Sequence, residues 1–257
     1  MPEIVECKIM SEYINYHSKD KKFIKIYNVE RGNIPKEYSS NDFTIYSFSN
    51  GKELNVNLTF KDNILPIYVF MGMSGNWKYV CTDDWKETKY VRLRLDDETG
   101  HSLLLYGGYM GPKYSIGKPF SGAKRGPDPI KNFDNFKENI LSNLDKKDFD
   151  KPIYEVLLNQ KYFNGIGNYL RSTILYYLDE NPFQNARVVI QKRPEIIEMC
   201  RDIPMKSYEF NGGQLRDWKN PNDTDSAKFK DWVYYQKGIS IKDSNNRTFW
   251  FDPKWKK

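Results

Sequence analysis

The sequence predicts an α+β fold: a β-sandwich or barrel first, helices after it, and a hairpin at the end. Three observations carry this. Short runs rich in Ile, Val, Tyr and Phe, several of them alternating, fill roughly the first hundred residues and are separated by Asn-Gly, Gly and Asp-Asn signals. Residues 111–131, "GPKYSIGKPFSGAKRGPDPIK", then have the Gly, Pro and Lys content of a linker, and helical patterns follow. The last stretch alternates again on both sides of a turn at 243–246.

Each element has its own reason. A leading helix is expected from Pro2 to about Tyr16, because proline suits the first helical position and Glu3 and Glu6 complement the helix dipole. The strands are "KKFIKIYNVE", "DFTIYSFS", "KELNVNLTF", "LPIYVF" and "YVRLRLDD". Helices are expected at 131–144, 151–163, 167–180 and 193–204, with Pro152 at a helix start and Asn181-Pro182 as a stop. "WVYYQKGISIKDSNNRTFWFDPKWKK" reads as the terminal hairpin.

Composition excludes several classes. A chain of 257 residues buries a core without staples, as one large domain or two modest ones. Its net charge of +6 favours a polyanion partner without establishing one. Cys7, Cys81 and Cys200 are far apart and odd in number, which argues against a disulfide framework and a cysteine zinc site. His17 and His101 are too scattered for a metal cluster. No run reaches the length of a membrane span, and no basic region with an apolar stretch opens the chain. The expected compartment is cytoplasm or nucleus.

The chemistry begins at "QKYFNGIGNYLRSTILYYL", residues 160–178. One helix ends near Phe163, Asn164-Gly165-Ile166-Gly167 turns the chain, and a second helix starts near Asn168. The new helix offers N–H groups to an anion, and Lys161 and Arg171 add positive charge, so the turn reads as a phosphate site. The plainer reading is a tight corner between two helices.

Set in order with other fragments, this stretch resembles the formamidopyrimidine-DNA glycosylase and endonuclease VIII (Fpg/Nei) family. The resemblance runs from Met1 to about Lys254. It rests on Pro2, Glu3 and Glu6 of a Pro-Glu-x-x-Glu start, on Gly51-Lys52, on the loop Met71-Gly72-Met73-Ser74-Gly75, on Gly126-Pro127-Asp128-Pro129-Ile130, on Gly165 to Tyr169, and on Arg247 in the final hairpin. Six such motifs in one order are hard to obtain by chance.

The resemblance implies a bifunctional DNA glycosylase and AP lyase that removes oxidatively damaged bases from a flipped-out nucleotide. Pro2, once Met1 is removed, is implied as the amine that attacks the sugar and forms a Schiff base; an α-amine titrates near about pH 8, leaving usable free base at neutrality. Glu3 is implied as general acid–base, Lys52 as the group beside the lesion phosphate, and Glu6 as an organiser of the first helix. Met73 is implied as a wedge in the vacated stack, Asn168 and the amides around Gly167 as one phosphate clamp, and Arg247 as another. The fold it implies is an N-terminal β-sandwich with a leading helix, then a helical domain with a helix–two-turn–helix and a β-hairpin finger.

The sequence also departs from the family. Asp252 and Trp255 stand where the usual finger has zinc-binding cysteines, and the first cysteine pair is absent, so a zincless finger held by Tyr234, Phe249, Trp250 and Phe251 is expected, with no metal and no cofactor. Tyr109 and Met110 replace the family's opposite-base arginine and second wedge; tyrosine can stack but lacks the paired donors. Thr173 stands where many relatives have glutamate. The segment from "GGQLRDW" to "WVYYQKG" resembles the loop that caps flipped oxidised purines, which keeps purine and pyrimidine lesions both open. The expected organisation is a catalytic domain at 1–117, a linker at 118–131, a helical domain at 132–231 and a finger at 232–257. The expected partner is damaged DNA, duplex or single-stranded, bound by a monomer with no membrane. The alternative is a catalytically silent relative that binds damaged DNA, against which Pro2, Glu3 and Lys52 together argue.

Overall fold

A computed structural model describes residues 2–29, 38, 42–120, 125–213, 218–222 and 226–256. They fall into two compact units. Unit 1 comprises Met1–Pro2, Glu6–Ser121 and Gly213–Asp225; unit 2 comprises Glu3–Val5, Gly122–Gly212 and Ser226–Lys257. The described residues of Gly213–Asp225, namely Gly213 and 218–222, therefore cluster with the β-rich half, although in sequence they lie between helical segments of unit 2.

Unit 1 is built from two four-stranded antiparallel sheets. The first has the order β1 (Phe23–Asn28), β6 (Val91–Asp97), β7 (His101–Tyr106), β5 (Asn76–Cys81). The second has the order β2 (Thr44–Asn50), β3 (Glu53–Thr59), β4 (Ile64–Phe70), β8 (Lys113–Ile116). Leu93, Leu95, Leu103, Leu105 and Trp77 are buried on the first sheet, and Leu54, Val56, Leu58, Leu65, Ile67 and Val69 on the second. Each such side chain contributes about 1.5–3 kcal/mol of burial energy, and the alternation of buried and solvent-facing positions along β2 and β4 fixes their register. A single bridge joins the sheets where Phe23 and Phe43 exchange backbone hydrogen bonds of 2.8 and 2.9 Å.

Helix α1 (Ile4–Ser18) is buried nearly all round, with only Glu12 and Tyr16 exposed. It starts two residues after Pro2, a little later than proline placement alone suggests. Its side chains seal two strand edges. The Asn15 amide donates to the Ser47 C=O (2.8 Å) and accepts from the Ser47 N–H (2.7 Å) on edge strand β2. The Tyr13 hydroxyl accepts the Tyr79 N–H (3.0 Å) on edge strand β5. Unpaired edges invite association, and this helix removes two of them. His17 and His101 both stack on the Tyr79 ring, at 4.7 and 5.0 Å.

Unit 2 contains α2 (Phe133–Leu141), α3 (Ile153–Val156), α4 (Asn168–Leu178), α5 (Ala186–Lys192), α6 (Ile196–Glu209) and α7 (Ala227–Trp232), followed by the hairpin β9 (Ile239–Lys242) and β10 (Thr248–Phe251). Thr248 pairs with Lys242 and Phe251 with Ile239.

Four sequence expectations are corrected. The helix expected over 151–163 shrinks to the single turn α3, because side chains claim the backbone beyond it. Gln160 donates to the Leu158 and Ile166 carbonyls and accepts the Gly165 N–H, in competition with helical bonding. The linker composition of 111–131 conceals β8, which pairs with β4 from Lys113↔Phe70 to Ile116↔Ile67. Helix α6 does not stop at Pro204 but carries it inside, buried, and runs to Glu209. Helix α4 ends at Leu178, where Asp179 turns left-handed (φ 54°), before Asn181-Pro182 is reached. The capping-loop expectation falls partly on 214–217 and 223–225, outside the described residues. No described helix is long and apolar enough to cross a membrane.

The Asn15 clamp gives the first test. Asn15→Leu leaves the Ser47 N–H and C=O without their side-chain partner, at a cost of about 1–3 kcal/mol. Amide exchange at Ser47 should accelerate, while Val56 and Leu58 in β3 keep their protection.

Candidate functional site

Glycine at 167 decides where Glu3 goes. Gly167 is the N-cap of α4, in an extended conformation any residue can adopt (φ −126°), yet a Cβ there would lie 2.2 Å from the Glu3 Cδ. The Glu3 carboxylate occupies that space. Its Oε1 accepts the Tyr169 N–H (2.9 Å) and its Oε2 the Leu170 N–H (3.3 Å). Beside it the Ile4 N–H donates to the Gly165 C=O (3.1 Å). Glu3 is buried. A carboxylate at a helix N-terminus satisfies orphan amides and complements the dipole. The anion on the first-turn amides Tyr169 and Leu170 is the chain's own Glu3.

Asn168 and Arg171 are also turned inward. The Asn168 Nδ2 donates to the Thr248 C=O on β10 (2.6 Å), and its Oδ1 accepts from Arg171 Nη2 (2.6 Å). Arg171, expected to add charge toward an outside anion, is 0% exposed. Its Nη1 donates to Asp243 Oδ2 (3.0 Å) and to the Tyr154 C=O (3.1 Å). Its guanidinium lies 5.0 Å from the Phe249 ring centroid. Burial pulls the Arg171 pKa below its ordinary value against the opposing pull of Asp243, and an arginine remains charged regardless.

Asp243 passes this charge on to the hairpin tip. Its Oδ1 accepts the Asn245 and Arg247 N–H groups (both 2.9 Å), and its Oδ2 accepts Arg247 Nε (2.9 Å). Burial works to raise the Asp243 pKa, but the Arg247 and Asn245 amides and Arg171 outweigh it and hold the group below the usual carboxylate range. Arg247 thus sits at the tip with its Nε committed and its side chain 40% exposed. Phe249 stacks on Tyr154 at 4.7 Å, Phe251 meets Phe183 edge-on at 5.0 Å, and Tyr234 stacks on Tyr176 at 4.1 Å. Phe249, Phe251 and Tyr234 fill the role the sequence suggested, and Tyr154, Phe183 and Tyr176 are partners it did not. Thr173 accepts the Tyr234 N–H (3.2 Å), which anchors the approach to the hairpin.

The hairpin does not fit a zinc ion. Asp252 caps the Lys254 N–H (2.9 Å), Trp255 offers no ligand atom, and the described residues hold no cluster of metal-binding side chains.

In unit 1 the remaining site residues lie in three places. Lys52 is buried in the tight turn between β2 and β3, where Asn50 pairs with Glu53. Pro2 is buried ahead of α1, and Glu6 accepts the Gly213 N–H (3.1 Å). The Met73 loop is welded to the loop after β7. The Met73 N–H donates to the Met110 C=O (2.8 Å), and the Ser74 hydroxyl to the Tyr109 C=O (3.1 Å). Gly72 is left-handed (φ +62°), and a Cβ there would lie 2.3 Å from the Met110 oxygen, so only glycine permits the weld. Tyr109 and Met110 project from it, 84% and 59% exposed.

Comparison with solved structures gives the fold a class. MutM (Fpg) from Thermus thermophilus superposes with a TM-score of 0.80 at 16% identity, over 99% of this chain and 98% of that one. Lactococcus lactis Fpg, non-covalently bound to DNA with an AP site, gives 0.79 at 17% identity, over 98% of each chain. No family model matches the sequence. Among curated proteins, human Endonuclease 8-like 1 is 29% identical over 98% of this chain and 72% of its own length. The formamidopyrimidine-DNA glycosylase of Ureaplasma parvum is 25% identical over 87% of this chain and 84% of its own. With its motifs in family order and its fold matched end to end by solved Fpg proteins, the chain resembles the Fpg/Nei family in both sequence and fold.

Three tests follow from this geometry. Gly167→Ala leaves the backbone unstrained but evicts the Glu3 carboxylate, so the Tyr169 and Leu170 amides should lose exchange protection while the rest of α4 keeps it. Because the Asp243 pKa is depressed in the fold, its contribution is present above the unfolded carboxylate value and is lost as pH falls through the folded one. Acidification below about pH 4 should release the hairpin, read as Trp250 fluorescence. Asp243→Asn, which leaves Arg171 buried against a neutral amide, should cost about 3–5 kcal/mol at neutral pH.

Proposed function

We propose that the chain is a bifunctional DNA glycosylase and AP lyase of base excision repair that acts on oxidatively damaged bases. The observation that carries this reading is the seating of Glu3. A carboxylate directly after a proline is fixed in one position by two amides of α4 and by the missing Cβ of Gly167. Structural proteins gain little from ordering a buried acid in that way, whereas catalysis gains from a preorganised acid–base group.

In this reading the Pro2 amine, freed of the residue before it, attacks C1′ of a flipped nucleotide. The base departs with the bonding pair, and Glu3 handles the proton at the sugar ring oxygen or the leaving group. The resulting iminium acidifies the 2′ proton, and elimination breaks the strand. Lys52 meets the phosphate beside the lesion. Met73 enters the vacated stack, with Tyr109 beside it in place of the arginine of other members. Arg247 binds a backbone phosphate through the nitrogens that Asp243 leaves available. Asn168 serves that same contact from behind, by tying α4 to β10.

Borohydride trapping on an abasic-site duplex tests the reading. Protein with verified loss of Met1 should give a covalent adduct; no adduct from such protein would sink it and favour a silent DNA-binding relative. Glu3→Gln should lower base excision about 100-fold or more while the fold persists. Arg247→Ala should weaken binding of lesion duplex by roughly ten- to a hundredfold, the worth of a charged hydrogen bond.

A further inference from the structure

The welded loop of Met73, Tyr109 and Met110 has a cavity beside it that the roles above leave unused. It measures about 780 Å³ and is lined by Arg92, Met110, Lys113, Tyr114, Lys118 and Phe120 among others. Three of its lining residues are cations and none is an acid. Lys113 and Lys118 are exposed, and Tyr114 and Phe120 are half-buried. The Tyr114 hydroxyl is fixed by donating to the Arg92 C=O (3.1 Å), which holds its ring on the β8 wall. Gly108, Met110 and Gly111, which form one side, belong to the loop that carries Tyr109.

We propose that this cavity binds a nucleotide of the undamaged strand, the one estranged when the damaged nucleotide is flipped out. Resting as it does on the glycosylase reading above, the inference adds a second-strand site to it. Cations grouped with aromatic faces are how proteins hold single-stranded nucleic acid: lysines follow the phosphates and rings stack on the base. The volume lies within the range of small-molecule sites, roughly 300–1,000 Å³. Continuity with Tyr109 and Met110 gives the location. The pocket adjoins Met110, so a strand met by the wedge loop runs on to a basic, ring-lined pocket rather than a flat wall. The pocket also supplies what the loss of the family's opposite-base arginine removes: a hold on that strand that does not depend on which base it carries.

The test compares the wild type with Lys113→Ala/Lys118→Ala and with Phe120→Ala on two ligands. One is a duplex with a tetrahydrofuran abasic analogue; the other is the lesion strand alone. The double variant should bind the duplex about tenfold more weakly, with a salt slope shallower by about 2, and should match the wild type on the single strand. Phe120→Ala should weaken duplex binding about fivefold at an unchanged salt slope. Equal losses on both ligands would mean that the lysines act as general attraction, and would overturn the proposal, as would unchanged duplex binding. Borohydride trapping on single-stranded abasic DNA reports on the glycosylase reading alone, so a failure there is told apart from a failure of the pocket.

Discussion

Arg171 carries a full positive charge at a place with no solvent exposure, and much of unit 2 is arranged around it. An isolated buried charge costs several kcal/mol, so its partners must all be present together. Asp243 supplies the countercharge, the Tyr154 carbonyl and Asn168 supply acceptors, and Phe249 supplies a ring face. These four groups come from three separate stretches of chain. Meeting at one guanidinium therefore fixes the turn at α3, the first turn of α4 and the hairpin relative to each other. Arg247 inherits its position from this, because the acid that neutralises Arg171 also holds the Arg247 Nε.

The same helix carries charge logic at its N-terminus. The amides of its first turn and the Arg171 guanidinium put positive potential close together. Glu3 answers the first and Asp243 the second, and the Glu3 charge also acts to raise the Arg171 pKa. The acid proposed for catalysis and the ion pair that supports the finger therefore share one helix and one electrostatic field. A change that neutralises either is felt by the other without a moving part between them. The corner that looked like an outward-facing anion site is occupied from inside, which is a tighter use of an N-terminus than binding a passing phosphate.

Several of these features were legible in the sequence because they depend on local chemistry. Alternation gave five strands, Asp243–Asn246 gave the hairpin turn, and the Gly-Ile-Gly stretch gave the start of α4. Pro2 and Glu3 stood out for their adjacency. Illegible were features set by distant partners. Nothing in "NYLR" says that its arginine is buried against an aspartate 72 residues later. Strands β5 and β7 and helices α5 and α7 are short, and their patterns are ambiguous until packing selects them. Strand β8 hid in Gly-Pro-Lys composition, since an edge strand of four residues needs only one neighbour. His17 and His101, far apart in sequence, both stack on Tyr79.

A hairpin with four residues per strand is not stable in water by itself, and a metal site and this chain solve that problem with different physics. A tetrahedral metal site is local: four ligands on the finger close it independently of what it packs against. Here the restraint is shared, since Asp243 lies on the finger and Arg171 on α4, while Phe249 and Phe251 stack on Tyr154 and Phe183 of the helical body. With Phe249 stacked and Phe251 edge-on against that body, the finger is folded only to the extent that it is docked. Its tip arginine is presented at one angle to α4 rather than on an independently rigid module. That exchange of autonomy for fixed placement suits a residue whose proposed task is to meet one phosphate beside a base already held elsewhere in the protein.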